Sequence, residues 1–499
     1  MSSKHRIVPS SVRRRRVASA QDLDRALKRS HETAGPATGE LASAAAKQLP
    51  PQAPPFLRDL PKEGVAYEPQ QPATKELKSI IEANYYRGAF EDAIKTVSAQ
   101  SVPELDQIKT LDQFYFYVDA LVTWIPEIRV WDWDGEELHE RTVYLRITQF
   151  YYYFNQASLE VLQSPIAPLD GAKLSPVSRW LRDFAVEWGA FLDTPESMKY
   201  IESFKYAPEY AWQDYEKAPE GYTTFNEFFA RKFRDIDGQR PVASAKDDRV
   251  IVFPAESTFV GQWTVSTKVG KPLPAPPSIV VKHIEWSIRE LLQDSEYASF
   301  FEGGIFCHSF LNTYDYHRQH TPVAGTVLEA KFIPGQVYLE VALETQDGND
   351  VNGDLARAVI PQRYLDAGDP TGYQFVQCRG LLVLESEIGK VAVLPMGMAQ
   401  VSSVVFVTPA AGGQRPITLT PEEKKGRDYQ QQVDLLNQKI RTELVGKPLS
   451  KGEMFSYFQF GGSDCVMVFE RKANVDVTAK VGVHYPVRSQ FAVSNINKK

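Results

Sequence analysis

The chain reads as an α+β protein, a helical N-terminal part followed by a β-rich C-terminal part. Three observations predict this. Apolar residues recur at helical spacing over 75–205. Short β-branched runs punctuated by Gly and Pro take over after about residue 245. A composition of 43% hydrophobic and 24% charged residues in 499 supplies a large core and two folded units. The expected division is a leader over 1–70, a helical domain over 75–205 and a catalytic domain over 206–499.

The leader carries the basic run Arg13 to Arg16, Ala/Gly/Ser-rich sequence and prolines from Pro50 to Pro61. Such composition buries too little apolar surface to offset chain ordering, which predicts disorder. The basic run is compatible with mitochondrial targeting, nuclear import or contact with anionic lipid, beside a plain solvated tail; Asp22 and Asp24 weaken the transit-peptide reading.

Helices are predicted over Leu111 to Leu121 and Val177 to Leu192, each with apolar residues near i, i+3, i+4 and i+7. Ser175-Pro176 supplies an N-cap and a proline that a first helical turn tolerates. Trp180, Trp188 and Tyr151 to Tyr153 read as core packing. Strands are predicted over Val250 to Phe253, Phe259 to Val265, Val323 to Ile333, Val337 to Leu343, Gly380 to Glu385, Val391 to Leu394 and Cys465 to Glu470. Thr418 to Leu444 reads as a helical insertion beginning at the cap signal Thr420-Pro421-Glu422-Glu423.

Phe460-Gly461-Gly462-Ser463-Asp464, near the C-terminus, carries the chemistry. Attack of Ser463 on the Gly462 carbonyl converts an amide into an ester, and elimination then hydrolysis leave a pyruvoyl ketone. Glycine before the nucleophile leaves that carbonyl unobstructed, and proximity alone contributes roughly 7–11 kcal/mol to such an attack. A serine still needs a base. Two imidazoles three residues apart lie in Asp315-Tyr316-His317-Arg318-Gln319-His320-Thr321-Pro322, and Phe253-Pro254-Ala255-Glu256 offers a carboxylate to fix a tautomer. Each segment alone has a plainer reading: a turn before a strand, paired core or surface histidines, a solvated glutamate.

Together they resemble the phosphatidylserine decarboxylase family, which carries Tyr-His-Arg-x-His-x-Pro-x-x-Gly, an upstream Pro-Ala-acid motif and a downstream Gly-Ser cleavage site in this order. The likeness extends through Thr224 to Phe233 with Arg240-Pro241, Leu394 to Gly397, Lys451 to Glu453 and Tyr457-Phe458, covering roughly 206–490. It implies that the chain cleaves between Gly462 and Ser463, that Ser463 becomes the covalent pyruvoyl cofactor and forms a Schiff base with the substrate amine, that His320 is the processing base, that Glu256 orients it, and that His317 handles the proton of decarboxylation. Large and small chains are expected to stay associated, and no metal is implied. Glu256 stands where the phospholipid enzymes usually have Asp, and Asp464 where they usually have Thr or Ser. A carboxylate at 464 is expected to favour a cationic iminium and repel an anionic substrate.

The helical stretch from Val177 into Asp193 to Ser197, with glutamate at the acidic position, is similar to the soluble fungal tryptophan decarboxylases of the same family. That similarity implies an amino-acid substrate, L-tryptophan or another aromatic one, and a cytoplasmic enzyme. The alternatives are phosphatidylserine at a membrane surface, with mitochondrial or peripheral-membrane placement; a hydrolase using Ser463, His320 and Glu256 without self-cleavage, although Gly461 to Cys465 lacks the Gly-x-Ser-x-Gly elbow; and a noncatalytic relative. Homo-oligomerisation is left open.

Other patterns carry less. No run of eighteen apolar residues predicts a transmembrane helix, and a net charge of −7 argues against a nucleic-acid partner. Cys307, His308, His317 and His320 lack paired zinc spacing. Asp347 to Asp354 misses the calcium-loop register, so Asn352-Gly353 reads as a turn. Three cysteines, Cys307, Cys378 and Cys465, are expected as free thiols.

Overall fold

A computed structural model describes residues 55–496 apart from 134–135, 141, 167–172, 218–220, 267–277, 282–283, 347–361, 367–372, 399–403 and 461. The basic run of the leader and the 347–354 turn lie outside the described residues, but the end of the leader is not a disordered tail: Leu57 is buried in the core, the Pro61 carbonyl accepts from Gln113 Nε2 and the Tyr67 hydroxyl donates to Asp119.

The N-terminal helices are α1 (Pro72–Ala83), α2 (Arg87–Ala99), α3 (Leu111–Val122), α4 (Thr142–Phe154) and α5 (Pro176–Phe191). Local sequence sets their ends. Thr110 and Gln113 form a capping box at α3, and the Ser175 hydroxyl accepts from Ser178 N ahead of Pro176 in α5. Tertiary carboxylates cap α1 instead: Asp119 accepts from the Gln70 and Gln71 amides and Glu187 from Ala73 N. Trp180 and Trp188 of α5 are fully buried. Phe150 and Phe184 stack at 4.5 Å, a contact worth about 0.5–1.5 kcal/mol beyond area burial. A hairpin, Arg129–Trp133 with Glu136–Glu140, interrupts the helices; helical periodicity carries no signal for it.

The catalytic part begins with α6 (Phe225–Phe229) and continues with β1 (Ser257–Thr264), β2 (Ile305–Leu311), β3 (Arg318–His320), β4 (Gly325–Ile333), β5 (Arg379–Ser386), β6 (Gly389–Met398) and β7 (Val404–Phe406). The insertion forms a short capped turn, Pro421–Lys424, and then α7 (Tyr429–Leu444). The remaining site strands are β8 (Pro448–Leu449), β9 (Met454–Phe458), β10 (Gly462–Phe469) and β11 (His484–Tyr485). Eight of them form an antiparallel sheet in the order β8-β4-β5-β6-β10-β2-β1-β11, and β7-β9-β3 form a smaller one. The strand expected over Val337 to Leu343 is displaced: the ladder is Ala342–Gln346 against Gln362–Asp366. Val337 and Leu339 are buried, so their apolar pattern records core packing rather than pairing.

Alternation along β10 divides the interior in two. Cys465, Met467 and Phe469 join a core that also contains α1–α5, while Val466 and Val468 join a second core with Trp286 and Phe375. The first core runs from Leu57 to Ala492, so the N-terminal helices and the large sheet share one continuous core. All three cysteines are free and buried. No helix of the described residues is long and apolar enough to cross a membrane.

Candidate active site

Gly462-Ser463-Asp464 lies in a strand rather than a turn. Gly462 opens β10, paired to Met398, and Ser463 pairs with Gly397 on one side and Leu311 on the other. Ser463 is fully buried, and its Oγ finds no hydrogen-bond partner among the described residues. A buried hydroxyl left unpaired costs about 1–3 kcal/mol, and such an orphan beside a glycyl carbonyl fits a nucleophile held in reserve better than a structural serine. These residues fit the precursor of a pyruvoyl group.

The strand entering this point runs along the histidine motif. Tyr457 pairs with Arg318 and Met454 with His320, and Phe458 N donates to the His317 carbonyl at 2.9 Å. Two segments separated by well over a hundred residues are thereby fixed side by side. The next residues are clamped from the helical side. Phe460 N donates to Asn226 Oδ1 at 3.0 Å, and Asn226 Nδ2 donates to the Gly189 carbonyl at 3.0 Å. The Phe460 ring packs 5.6 Å from Trp188, Phe225 and Phe229.

The two histidines differ. His320 is bonded through both ring nitrogens, Nδ1 to the Gly452 carbonyl at 2.8 Å and Nε2 to the Tyr316 hydroxyl at 3.1 Å. A carbonyl only accepts, so Nδ1 carries the proton and Nε2 holds a lone pair toward Tyr316. Burial, with Arg488 nearby, lowers the His320 pKa to about 3, which keeps the ring neutral. His317 is fully buried and stacked 3.8 Å from Phe229, with neither nitrogen in a well-formed hydrogen bond. Burial and then the Arg231 guanidinium push its pKa well down, against a weaker upward pull from the Asp315 and Asn312 main chain.

Glu256 is held elsewhere than expected. It accepts both forks of Arg240, Nε at 2.8 Å and Nη2 at 2.7 Å; the group that orients His320 is the Gly452 carbonyl. Gly452 has φ +75°, and a Cβ there would meet Val242 at 2.5 Å, so only glycine presents that carbonyl in this way. Asp464 also departs from expectation. It lies on the face of β10 opposite Ser463, accepting from Gln374 Nε2 at 3.1 Å with His308 Nε2 at 3.4 Å. Period-2 geometry removes it from the reacting face. Cys307 and His308 likewise alternate across β2, and no three metal-type side chains converge among the described residues.

Asn226, Arg240, Tyr316 and Gly452 lie within segments that carry the family likeness, yet the residue types alone assign them no role. Their signal was proximity to the recognised motifs; what was missing was the partner across the fold. Arg231 belongs with them. Its Nη2 donates to the Tyr314 and Asp315 carbonyls, and its guanidinium lies 4.4 Å from the Tyr215 ring centroid.

Comparison with known proteins fits this geometry. The sequence model of phosphatidylserine decarboxylase matches residues 225–491. A phosphatidylserine decarboxylase proenzyme 3 of Schizosaccharomyces pombe is 27% identical over 59% of this chain and 24% of its own length. A phosphatidylserine decarboxylase proenzyme of Fusobacterium nucleatum is 26% identical over 58% of this chain and 74% of its own length. An L-tryptophan decarboxylase of Psilocybe cyanescens is 31% identical over 24% of this chain and 26% of its own length. The matched region thus spans about a quarter of two of these relatives. With more than half of its residues matched by the family, the chain belongs to the phosphatidylserine decarboxylase family.

Proposed function

We propose that this chain is a self-processing decarboxylase that cleaves between Gly462 and Ser463 and releases carbon dioxide from an aromatic amino acid. The observation that carries the reading is the buried, unpaired Ser463 hydroxyl at the start of a central strand, directly after Gly462.

The chain's own residues divide the work. Ser463 Oγ attacks the Gly462 carbonyl and gives up its proton. His320, neutral and with an unprotonated Nε2, is the base that takes it, the Tyr316 hydroxyl yielding its place. Asn226 holds Phe460, three residues upstream, and thereby the angle at which the chain enters the cleavage point. The pyruvoyl group formed at 463 supplies a ketone that draws electrons from the bond to the departing carboxylate. His317, buried beside Phe229 in a water-poor wall, delivers or holds the proton at the substrate carbon. After cleavage, 463–499 form the small chain. Its first strand is hydrogen-bonded to β6 on one edge and β2 on the other, so the two chains stay together.

The aromatic substrate is supported by the 31% identity to a fungal L-tryptophan decarboxylase. A second reading, phosphatidylserine as substrate, is favoured by the family match and by the names of the other relatives. Carbon dioxide release from tryptophan, phenylalanine, tyrosine and phosphatidylserine vesicles separates the two: the proposal expects release from at least one aromatic amino acid, and activity on vesicles alone overturns it.

A further inference from the structure

A cavity of about 310 Å3 opens beside the cleavage segment. Val186 and Gly189 of α5, Val405 of β7, and Tyr429 and Leu436 of α7 form its walls, and Phe460 its floor. Phe460 is 2% exposed, whereas Asp193 and Lys424, exposed, stand at the rim. Below the floor, Phe460 touches Phe229, which stacks on His317. Beyond Phe460 the chain carries only two glycines before Ser463, so no side chain of that segment stands between the cavity and the reacting position.

We infer that this cavity seats the aromatic side chain of the substrate while its amino group reaches position 463; the inference rests on the amino-acid reading above. The volume sits at the lower end of the roughly 300–1,000 Å3 that encloses small ligands. It matches one ring system with a short side arm better than the paired acyl chains of a phospholipid. Phe460 and Tyr429 offer aromatic surface to a ring. The insertion helix α7, set apart in the sequence as an addition before the processing strand, then has a function as one wall of the specificity pocket.

Gly189 provides the test. A Cβ built on it meets nothing within 4 Å, so side chains placed there grow into the cavity without displacing main chain. In full-length, cleaved protein, Gly189→Ala, Gly189→Leu and Gly189→Phe are expected to weaken tryptamine binding in that order, measured by titration calorimetry. Gly189→Phe should lose about tenfold or more in affinity and raise KM for tryptophan by a similar factor. Intact mass shows first that each variant has cleaved; if Gly189→Phe fails to fold or cleave, Leu436→Trp fills the space from the opposite wall and is read the same way. Unchanged tryptamine affinity in a cleaved, cavity-filled variant overturns the assignment while leaving the substrate reading intact. Wild-type protein that acts on phosphatidylserine vesicles and on no aromatic amino acid defeats the substrate reading itself, and the cavity assignment with it.

Discussion

The two faces of β10 are built from neighbouring residues and do opposite things. On one face Ser463 is buried with its hydroxyl unpaired, next to segments clamped by Asn226, Phe229 and Trp188. On the other, Asp464 is equally buried but engaged with Gln374 and His308. One residue of register separates a hydroxyl that meets no partner from a carboxylate that is bonded through one of its two oxygens. Burial is therefore equal on the two faces, and what differs is hydrogen bonding: Ser463 Oγ meets no partner among the described residues, whereas Asp464 Oδ2 accepts from Gln374.

The largest effect that separates the faces is Ser463→Ala. It removes the only nucleophile proposed for cleavage, so the protein is expected to stay a single 56.3 kDa chain and to release no carbon dioxide. Intact mass and gas release read both, and efficient turnover by an uncleaved chain breaks the whole account. Next comes His320→Ala, expected to slow cleavage by about 10²–10⁴, the usual worth of positioned proton transfer. The wild-type cleavage rate should be flat between about pH 5 and 8 and fall only toward the acid value near 3 at which His320 gains its proton. Stability follows the same linkage. A histidine whose folded pKa is depressed contributes stability that is present above its unfolded pKa and lost as pH falls toward the folded one. His317 shares that direction, so the melting temperature should hold above the ordinary histidine range, about 6.5, and decline steadily below it.

Asn226→Ala tests whether the clamp on the Ser463 face matters through geometry. It leaves the Phe460 amide and the Gly189 carbonyl without their bonds, worth about 1–3 kcal/mol together with the desolvation left uncompensated. A cleavage half-time longer by about tenfold, with both chains still formed eventually, is the expected reading. Unaltered cleavage kinetics would assign Asn226 to stability alone.

Much of this arrangement was legible in the residues, and the reasons are local. Ser175 and Pro176 marked the start of α5 because a cap needs only four consecutive residues. Ser463, His317 and His320 stand out as candidates because glycine-serine chemistry and paired imidazoles are written contiguously. What stayed hidden was non-local. Nothing in Glu256 announces that Arg240, sixteen positions earlier, matches both its oxygens, and nothing in Lys451-Gly452-Glu453 announces that the central carbonyl fixes the His320 tautomer. The order β6-β10-β2 in the sheet depends on pairings that alternation cannot rank. The face of Asp464 was different: period-2 alternation in a strand starting at Gly462 suffices to place it opposite Ser463. The turn-like Gly-Gly-Ser-Asp composition masks the strand geometry there.

The smallest effect on cleavage is therefore expected from Asp464→Ala, and it sharpens the comparison most. A carboxylate behind the strand has no path to the reacting atoms except through the backbone, so cleavage half-time should change by no more than about threefold, ~0.6 kcal/mol. Stability should respond instead. Gln374 loses an acceptor and His308 a neighbouring carboxylate in a fully buried site, at a cost of about 1–3 kcal/mol, visible as a melting temperature lower by a few degrees. A variant that keeps its melting temperature but cleaves or turns over far more slowly would move Asp464 back to the chemical face and remove the distinction between the two sides of β10.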